Sequence, residues 1–111
     1  MDDPKFWIFK RRDSLFYFGL RATSGEILLG SKGFDTKVSC RDGIGALKRS
    51  CTQDANYMRE KSKDGEFYFS LFAPGRGHIG TSEMYSDEQR REKVIAAVRR
   101  DAPGAPVEDV T

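Results

Sequence analysis

The side chains best suited to nucleophilic or metal chemistry in this chain are one histidine, His78, and two cysteines, Cys40 and Cys51. A structural zinc site needs four ligands, and no cysteine or carboxylate stands at ligand spacing around His78. It is expected to be an ordinary residue at a strand edge. An activated thiolate needs cationic, partly exposed surroundings. Cys40 and Cys51 instead fall on the apolar stripe of a predicted helix, where a cysteine behaves as a small buried hydrophobe. Eleven residues of helix would hold them about 16 Å apart, beyond the reach of a disulfide. Free thiols point to a reducing compartment, hence the cytoplasm. Gly25, Gly30, Gly33 and the Gly75-Arg76-Gly77 loop supply turns, and neither a Walker-type sequence nor a dinucleotide fingerprint is present. No catalytic residue, metal or cofactor is expected, which leaves the chemistry of binding.

For binding the chain is well supplied, with eight Phe, four Tyr and one Trp in 111 residues. The candidate interaction surface is Trp7, Tyr17, Tyr68 and Phe72 together with Arg11 and Arg12, provided that their elements turn them to one side. Those elements are legible. Phe6 to Lys10 reads as a strand, Arg11-Arg12-Asp13-Ser14 as a charged turn, and Leu15 to Arg21 as the second arm of a hairpin. By alternation Phe16, Phe18 and Leu20 point one way and Leu15, Tyr17 and Gly19 the other. Ser24-Gly25 turns into a third strand, Glu26 to Gly30. The period then changes to about 3.6: Asp35 or Thr36 caps a helix whose stripe of Cys40, Gly43, Ile44, Leu47 and Cys51 faces the sheet. Gly43 on that stripe costs about 1 kcal/mol of helix propensity, which predicts a close approach of helix to strand.

A shift of 51 residues lays the chain over itself: Lys10 to Ala22 matches Lys61 to Ala73, and Ser31, Phe34, Ile44, Ala46 and Arg49 pair with Ser82, Tyr85, Ile95, Ala97 and Arg100. The second half therefore predicts strands over Asn56 to Ser62, Phe67 to Phe72 and His78 to Ser82. A helix follows from a Ser86/Gln89 capping box, runs to about Asp101 and is stopped by Pro103-Gly104. Val107 marks a short last strand. Repeats 5–56 and 57–111 are each near the lower size limit for an independent core, so one domain spanning 1–111 is expected. The strand near Tyr57 closes the first repeat and opens the second in this reading.

The segments KSKDGEFYFSLFA, IGTSEMYS and APGAPVEDVT, with weaker copies DSLFYFGLRA and LLGSKGFDTK, make the chain resemble the YegP-like family of small bacterial proteins over nearly its whole length. The resemblance implies an α+β fold: two tandem β(3)-α-β repeats forming a single antiparallel sheet with exchanged C-terminal strands and two helices packed on it. It carries over no activity. The chain departs from the family pattern at Arg91, where a small residue is expected on the buried helix face, at Lys93-Val94-Ile95, and at the loosened turn Pro74-Gly75-Arg76-Gly77.

With both helices on one face, the other face would show Leu15, Tyr17, Tyr68, Phe72 and either Trp7 and Phe9 or Phe6 and Ile8. A patch of that size calls for cover by a protein partner or a second copy, unless the twist of the sheet folds over it. The leading expectation is a small cytoplasmic binding or interaction module without catalytic activity. Nucleic-acid binding is the alternative, through Lys10, Arg11, Arg12, Lys61, Lys63, Arg90, Arg91, Arg99 and Arg100 combined with Tyr17 and Tyr68. The net charge of +2 decides neither way. No apolar run is long enough to cross a bilayer, and the acidic start Met1-Asp2-Asp3-Pro4 does not read as a secretion signal, so neither membrane nor export is expected.

Overall fold

A computed structural model describes residues 3–111, and of the acidic start Met1 and Asp2 lie outside the described residues. The strands are β1 (Lys5–Lys10), β2 (Phe16–Arg21), β3 (Ile27–Ser31), β4 (Tyr57–Lys61), β5 (Phe67–Ala73), β6 (Gly77–Thr81) and β7 (Val107–Asp109); the helices are α1 (Lys37–Ser50) and α2 (Glu88–Asp101). They form one seven-stranded sheet in the order β4-β5-β6-β3-β2-β1-β7, with the two repeats joined at the middle by the antiparallel pair β3 and β6. Phe6, Ile8, Phe18 and Leu20 from the first half, and Phe69 and Leu71 from the second, are buried together with Ile44, Leu47, Ile95 and Val98 of the helices. The helix of each repeat packs on strands of both repeats, α1 on β2 and β5 and α2 on β3 and β5. The buried side chains of the two halves form one cluster.

The sheet is antiparallel throughout except at its last pair. β7 lies parallel to β1, with Val107 beside Phe6 and Asp109 beside Ile8, so the C-terminal strand of the second repeat is donated to the first. The reverse donation is not made. Asn56 and Tyr57, which the repeat would assign as a closing strand, continue directly into β4, and β4 pairs only with β5. One short segment cannot lie beside itself, so the exchange runs one way and the sheet is mixed.

The repeated Ser-x-x-aromatic motif has a physical reason. Where β3 leaves the ladder, the Ser31 hydroxyl accepts from Phe18 N–H (2.9 Å) and donates to the Lys32 carbonyl (2.8 Å). Three residues on, Phe34 returns to make two backbone bonds with Phe16 at 2.8 and 2.7 Å. Ser82 does the same for Phe69 N–H at 3.0 Å, and Tyr85 returns to Phe67. A serine thus replaces a missing strand partner for an amide that would otherwise be buried and unbonded.

Each repeat also carries a β-bulge that the strand pattern does not show. Leu20 pairs with Leu29 and Arg21 with Ile27, leaving Leu28 as the extra residue; in the second copy Ile79 is extra. Both are buried. The inserted residue changes which side chains share a face, since residues three apart now point the same way. The helix caps follow expectation in the first copy, where Thr36 accepts from Ser39 N–H at 3.0 Å. In the second the cap falls one residue later than the predicted Ser86, at Asp87, whose carboxylate accepts from Arg90 N–H at 2.7 Å. An aspartate at the equivalent of Thr36 keeps the repeat in register and adds a charge that the helix dipole favours.

Gly43 does sit at a close approach, but to rings rather than to strand backbone. A Cβ there would lie 2.7 Å from Phe34 Cζ and 3.3 Å from Phe18 Cε2, so the glycine lets α1 settle onto those two aromatics.

Candidate functional site

All four aromatic candidates stand on the face of the sheet opposite the helices. On β1, alternation puts Phe6 and Ile8 into the core and Trp7 and Phe9 outside. On β2, Tyr17 and Gly19 share that outer side, with Phe9 paired to Tyr17 and Trp7 to Gly19. β5 contributes Tyr68 and Phe72. They do not form one patch, however. β6 and β3 lie between β5 and β2. At about 4.8 Å per strand that separates the two aromatic groups by about 14 Å.

The first group is a continuous stack. The Trp7 and Phe9 ring centroids are 5.7 Å apart with planes 20° from parallel, and Phe9 and Tyr17 follow at 5.8 Å and 18°. Guanidinium groups close both ends: Arg21 is 4.9 Å from the Trp7 ring centre, and Arg11 is 4.5 Å from that of Tyr17 and 5.4 Å from that of Phe9. The indole leans across the sheet onto Gly19, where an added Cβ would fall 2.3 Å from its ring edge. Only glycine lets Trp7 lie there. The Tyr17 hydroxyl donates to Asp13, which lowers the Asp13 carboxyl below its ordinary value and raises the tyrosine above its own. Arg12, also a candidate, is exposed in the β1–β2 turn and touches none of these rings.

Beside this wall runs a trough of about 230 Å³ whose floor includes Gly19 and Gly30 and whose far side is formed by Ile27, Thr81 and Glu83. Ile27 is the most exposed apolar residue along it, and it stands there because of the Leu28 bulge. The second aromatic group is different in kind. Phe72 meets His78 edge to face at 5.5 Å, and His78 Nε2 lies 2.7 Å from Thr81 Oγ1. His78 is partly buried near the end of an interior strand, with a hydroxyl as its bonding partner. Among the described residues no three metal-ligating side chains gather at one place.

The five outer rings are all half-buried, and Trp7, Phe9 and Tyr17 are covered by one another and by the stacked arginines. The face therefore offers ring edges and guanidinium groups more than open ring faces. The cations expected to join the tyrosines are largely elsewhere. Arg90 pairs with Glu26, Arg99 with Asp54 and Arg100 with Asp101. Arg91 is only 6% exposed, with its guanidinium on Glu88 and Glu92 and over the Phe67 ring. The aromatic and basic surface drawn from the sequence is thus split, and of its cations Arg11 alone stacks on the outer rings.

Cys40 and Cys51 are both buried and unbridged. Burial pushes the Cys40 thiol up to about 11 and raises that of Cys51. At pH 8 the thiolate fraction of Cys40 is then about a hundredfold below that of an ordinary cysteine. Titration of the native protein with an aromatic disulfide reagent at pH 8 should show both thiols reacting at least about a hundredfold more slowly than in the unfolded chain. A rapid stoichiometric burst in the native state would contradict this placement.

The fold defines a class: a duplicated β(3)-α-β protein that builds one sheet and covers one face of it with helices. A family model described as a domain of unknown function, DUF1508, matches the chain twice, over residues 12–57 and 62–109, and the chain belongs to that family. Among its relatives are a UPF0339 protein of Bordetella pertussis, 41% identical over 106 residues and 96% of each chain, and UPF0339 protein YegP of Escherichia coli K12, 35% identical over the same length and 96% of each. The solution structure of Escherichia coli YegP, described as a protein of unknown function, superposes with a TM-score of 0.93 at 33% identity, covering 100% of this chain and 96% of that one. A UPF0339 protein of Shewanella oneidensis superposes at 0.92 and 29% identity, covering 99% and 93%. No helix among the described residues is long and apolar enough to cross a membrane.

Proposed function

We propose that this protein is a cytoplasmic binding module without catalytic activity, and that it holds its ligand on the outer face of β1, β2 and β3. One observation carries the reading: the Trp7-Phe9-Tyr17 stack, closed by Arg11 and Arg21, stands beside a trough that the glycines of β2 and β3 keep open. Trp, Tyr and Arg are the residues most enriched at interface hot spots, and the aromatic ones bring a large contact area at a small loss of side-chain freedom. Two buried, unbridged cysteines support a reducing compartment. Self-association through this face would bring Arg11, Arg12 and Arg21 of two copies toward one another, so a different molecule is the better-matched partner.

Capture from a bacterial lysate, with and without nuclease, tests this on the parent chain and on a Trp7→Ala, Tyr17→Ala variant that keeps its circular dichroism. A ligand retained by the parent, unaffected by nuclease and reduced about tenfold or more on the variant is the expected result. Equal retention by both chains, or loss on nuclease treatment, would move the function away from this surface or toward nucleic acid.

A further inference from the structure

Resting on that reading, we infer that the partner is an acidic, extended protein segment lying along β1 and β2, with carboxylates at Arg21 and Arg11 and an apolar side chain in the trough between them. Both arginines are exposed, neither forms an ion pair among the described residues, and each is held by the ring beneath it. Stacking leaves the edge of a guanidinium free, and that edge is the part that matches a carboxylate with two parallel hydrogen bonds. The distribution of charge agrees. Among the described residues, Lys10, Arg11, Arg12, Arg21 and Lys32 of the first hairpin and its neighbouring loop make no ion pair, whereas every arginine of α2, at 90, 91, 99 and 100, is paired with an acid of this chain. Glu83, on the far wall, is the one carboxylate lining the trough.

The spacing selects an extended segment over a small anion. Arg21 lies beside Lys5 in the β1–β2 register, and Arg11 follows β1 six residues further along. Arg21 lies 4.9 Å from the Trp7 ring, Trp7 5.7 Å from Phe9 and Phe9 5.4 Å from Arg11, so the two guanidinium groups stand on separate rings up to about 16 Å apart, and two carboxylates on one chain match them better than a single carboxylate or phosphate. An extended chain spans that distance with acids about four to five residues apart. A single-stranded nucleic acid is the less fitting anion, because it binds by stacking bases on open ring faces, and here those faces are taken by neighbouring rings and by the arginines.

The test is selection of displayed random twelve-residue peptides on the intact protein, followed by anisotropy titration of the enriched peptides and of fluorescein-labelled decathymidylate. Enrichment of Asp or Glu at two positions about four to five apart is expected. Affinity should fall about tenfold or more for Arg11→Glu with Arg21→Glu, and severalfold between 50 and 500 mM salt. Both substitutions are exposed, and an unchanged melting temperature confirms the variant fold. Enriched peptides lacking acids, yet lost on Trp7→Ala, would overturn the acidic partner and leave the binding face standing. No enrichment, or decathymidylate binding more tightly than any peptide, would overturn the inference outright.

Discussion

Phe69→Ala, in the second half of the chain, is expected to destabilise the first half as much as its own. Phe69 is fully buried, as is its first-repeat equivalent Phe18, and truncating a buried Phe costs about 3–5 kcal/mol through lost transfer energy and the cavity left behind. A domain of this size has a total stability of roughly 5–15 kcal/mol, so the loss is a large share of it. What makes the effect global is the arrangement of the helices. α1, from the first repeat, packs on β5, the strand that carries Phe69, and β3 and β6 join the halves within one sheet. Native-state hydrogen exchange in Phe69→Ala should therefore show protection falling by a similar amount in β2 and in β5, with one cooperative unfolding transition. Phe18→Ala should give the mirror result. Loss confined to β4, β5 and β6, with β1 and β2 unchanged, would mean that the repeats are separate folding units after all.

Removal of β7, by ending the chain at Ala105, is the second change with a large expected effect. Val107 is half-buried against the core, Phe6 N–H donates to the Pro106 carbonyl at 2.8 Å, and Val110 N–H donates to the Ile8 carbonyl at 3.0 Å. Those bonds and that burial together amount to about 2–4 kcal/mol, which for a domain of this length lowers the melting temperature by roughly 10–20 °C. The deletion also bares the edge of β1, whose sequence Phe-Trp-Ile-Phe is long, flat and apolar, and an open edge of that kind recruits other strands. Light scattering should show association that grows with concentration in the truncated chain and is absent in the parent. A truncated chain that melts within about 3 °C of the parent and stays monomeric would mean that β7 is ornamental.

Charge fixes where β7 goes. Asp109 meets Lys37 at 2.9 Å and Arg41 at 3.6 Å on α1, and Glu108 meets Lys5 at 2.8 Å. The positions of α2 that correspond to Lys37 and Arg41 are Glu88 and Glu92, which would repel Asp109 from the edge of β4. The Thr111 hydroxyl and Lys37 hold the Asp109 carboxyl far below its usual range. Since the folded value is depressed, this contribution is complete above the ordinary carboxylate range near pH 4 and is lost only as pH falls toward the lowered value. Mild acid should accordingly leave β7 in place.

Much of this is legible in the sequence. Alternation within LFYFGLR assigned Phe18 and Leu20 to the core and Tyr17 and Gly19 to the opposite side, because a strand has no other way to place them. The apolar stripe of α1 and the cost of Gly43 foretold a tight contact. Other features were not readable. The bulges at Leu28 and Ile79 arise from how two strands pair, and a single strand carries no mark of the residue that its neighbour will skip. The position of Arg21 over Trp7 depends on a cross-strand register, so Arg21 was not among the candidate residues, although an arginine ending an aromatic strand was a signal that could have raised it. Alternation groups Tyr68 and Phe72 with Trp7 and Tyr17 on one face, but a face says nothing of the two strands between.

Taken alone, the sequence determined the duplication, the number and kind of elements in each copy, and the side chains that each element would bury, since all of these follow from local periodicity and from a register of 51 residues. Tertiary structure decided that the closing strand would be donated one way, that Arg91 would be buried beside two glutamates, and that one aromatic wall, rather than a continuous patch, would face the trough. These depend on contacts between residues far apart in the chain, where the energy of a pair exists only once both partners have been brought together.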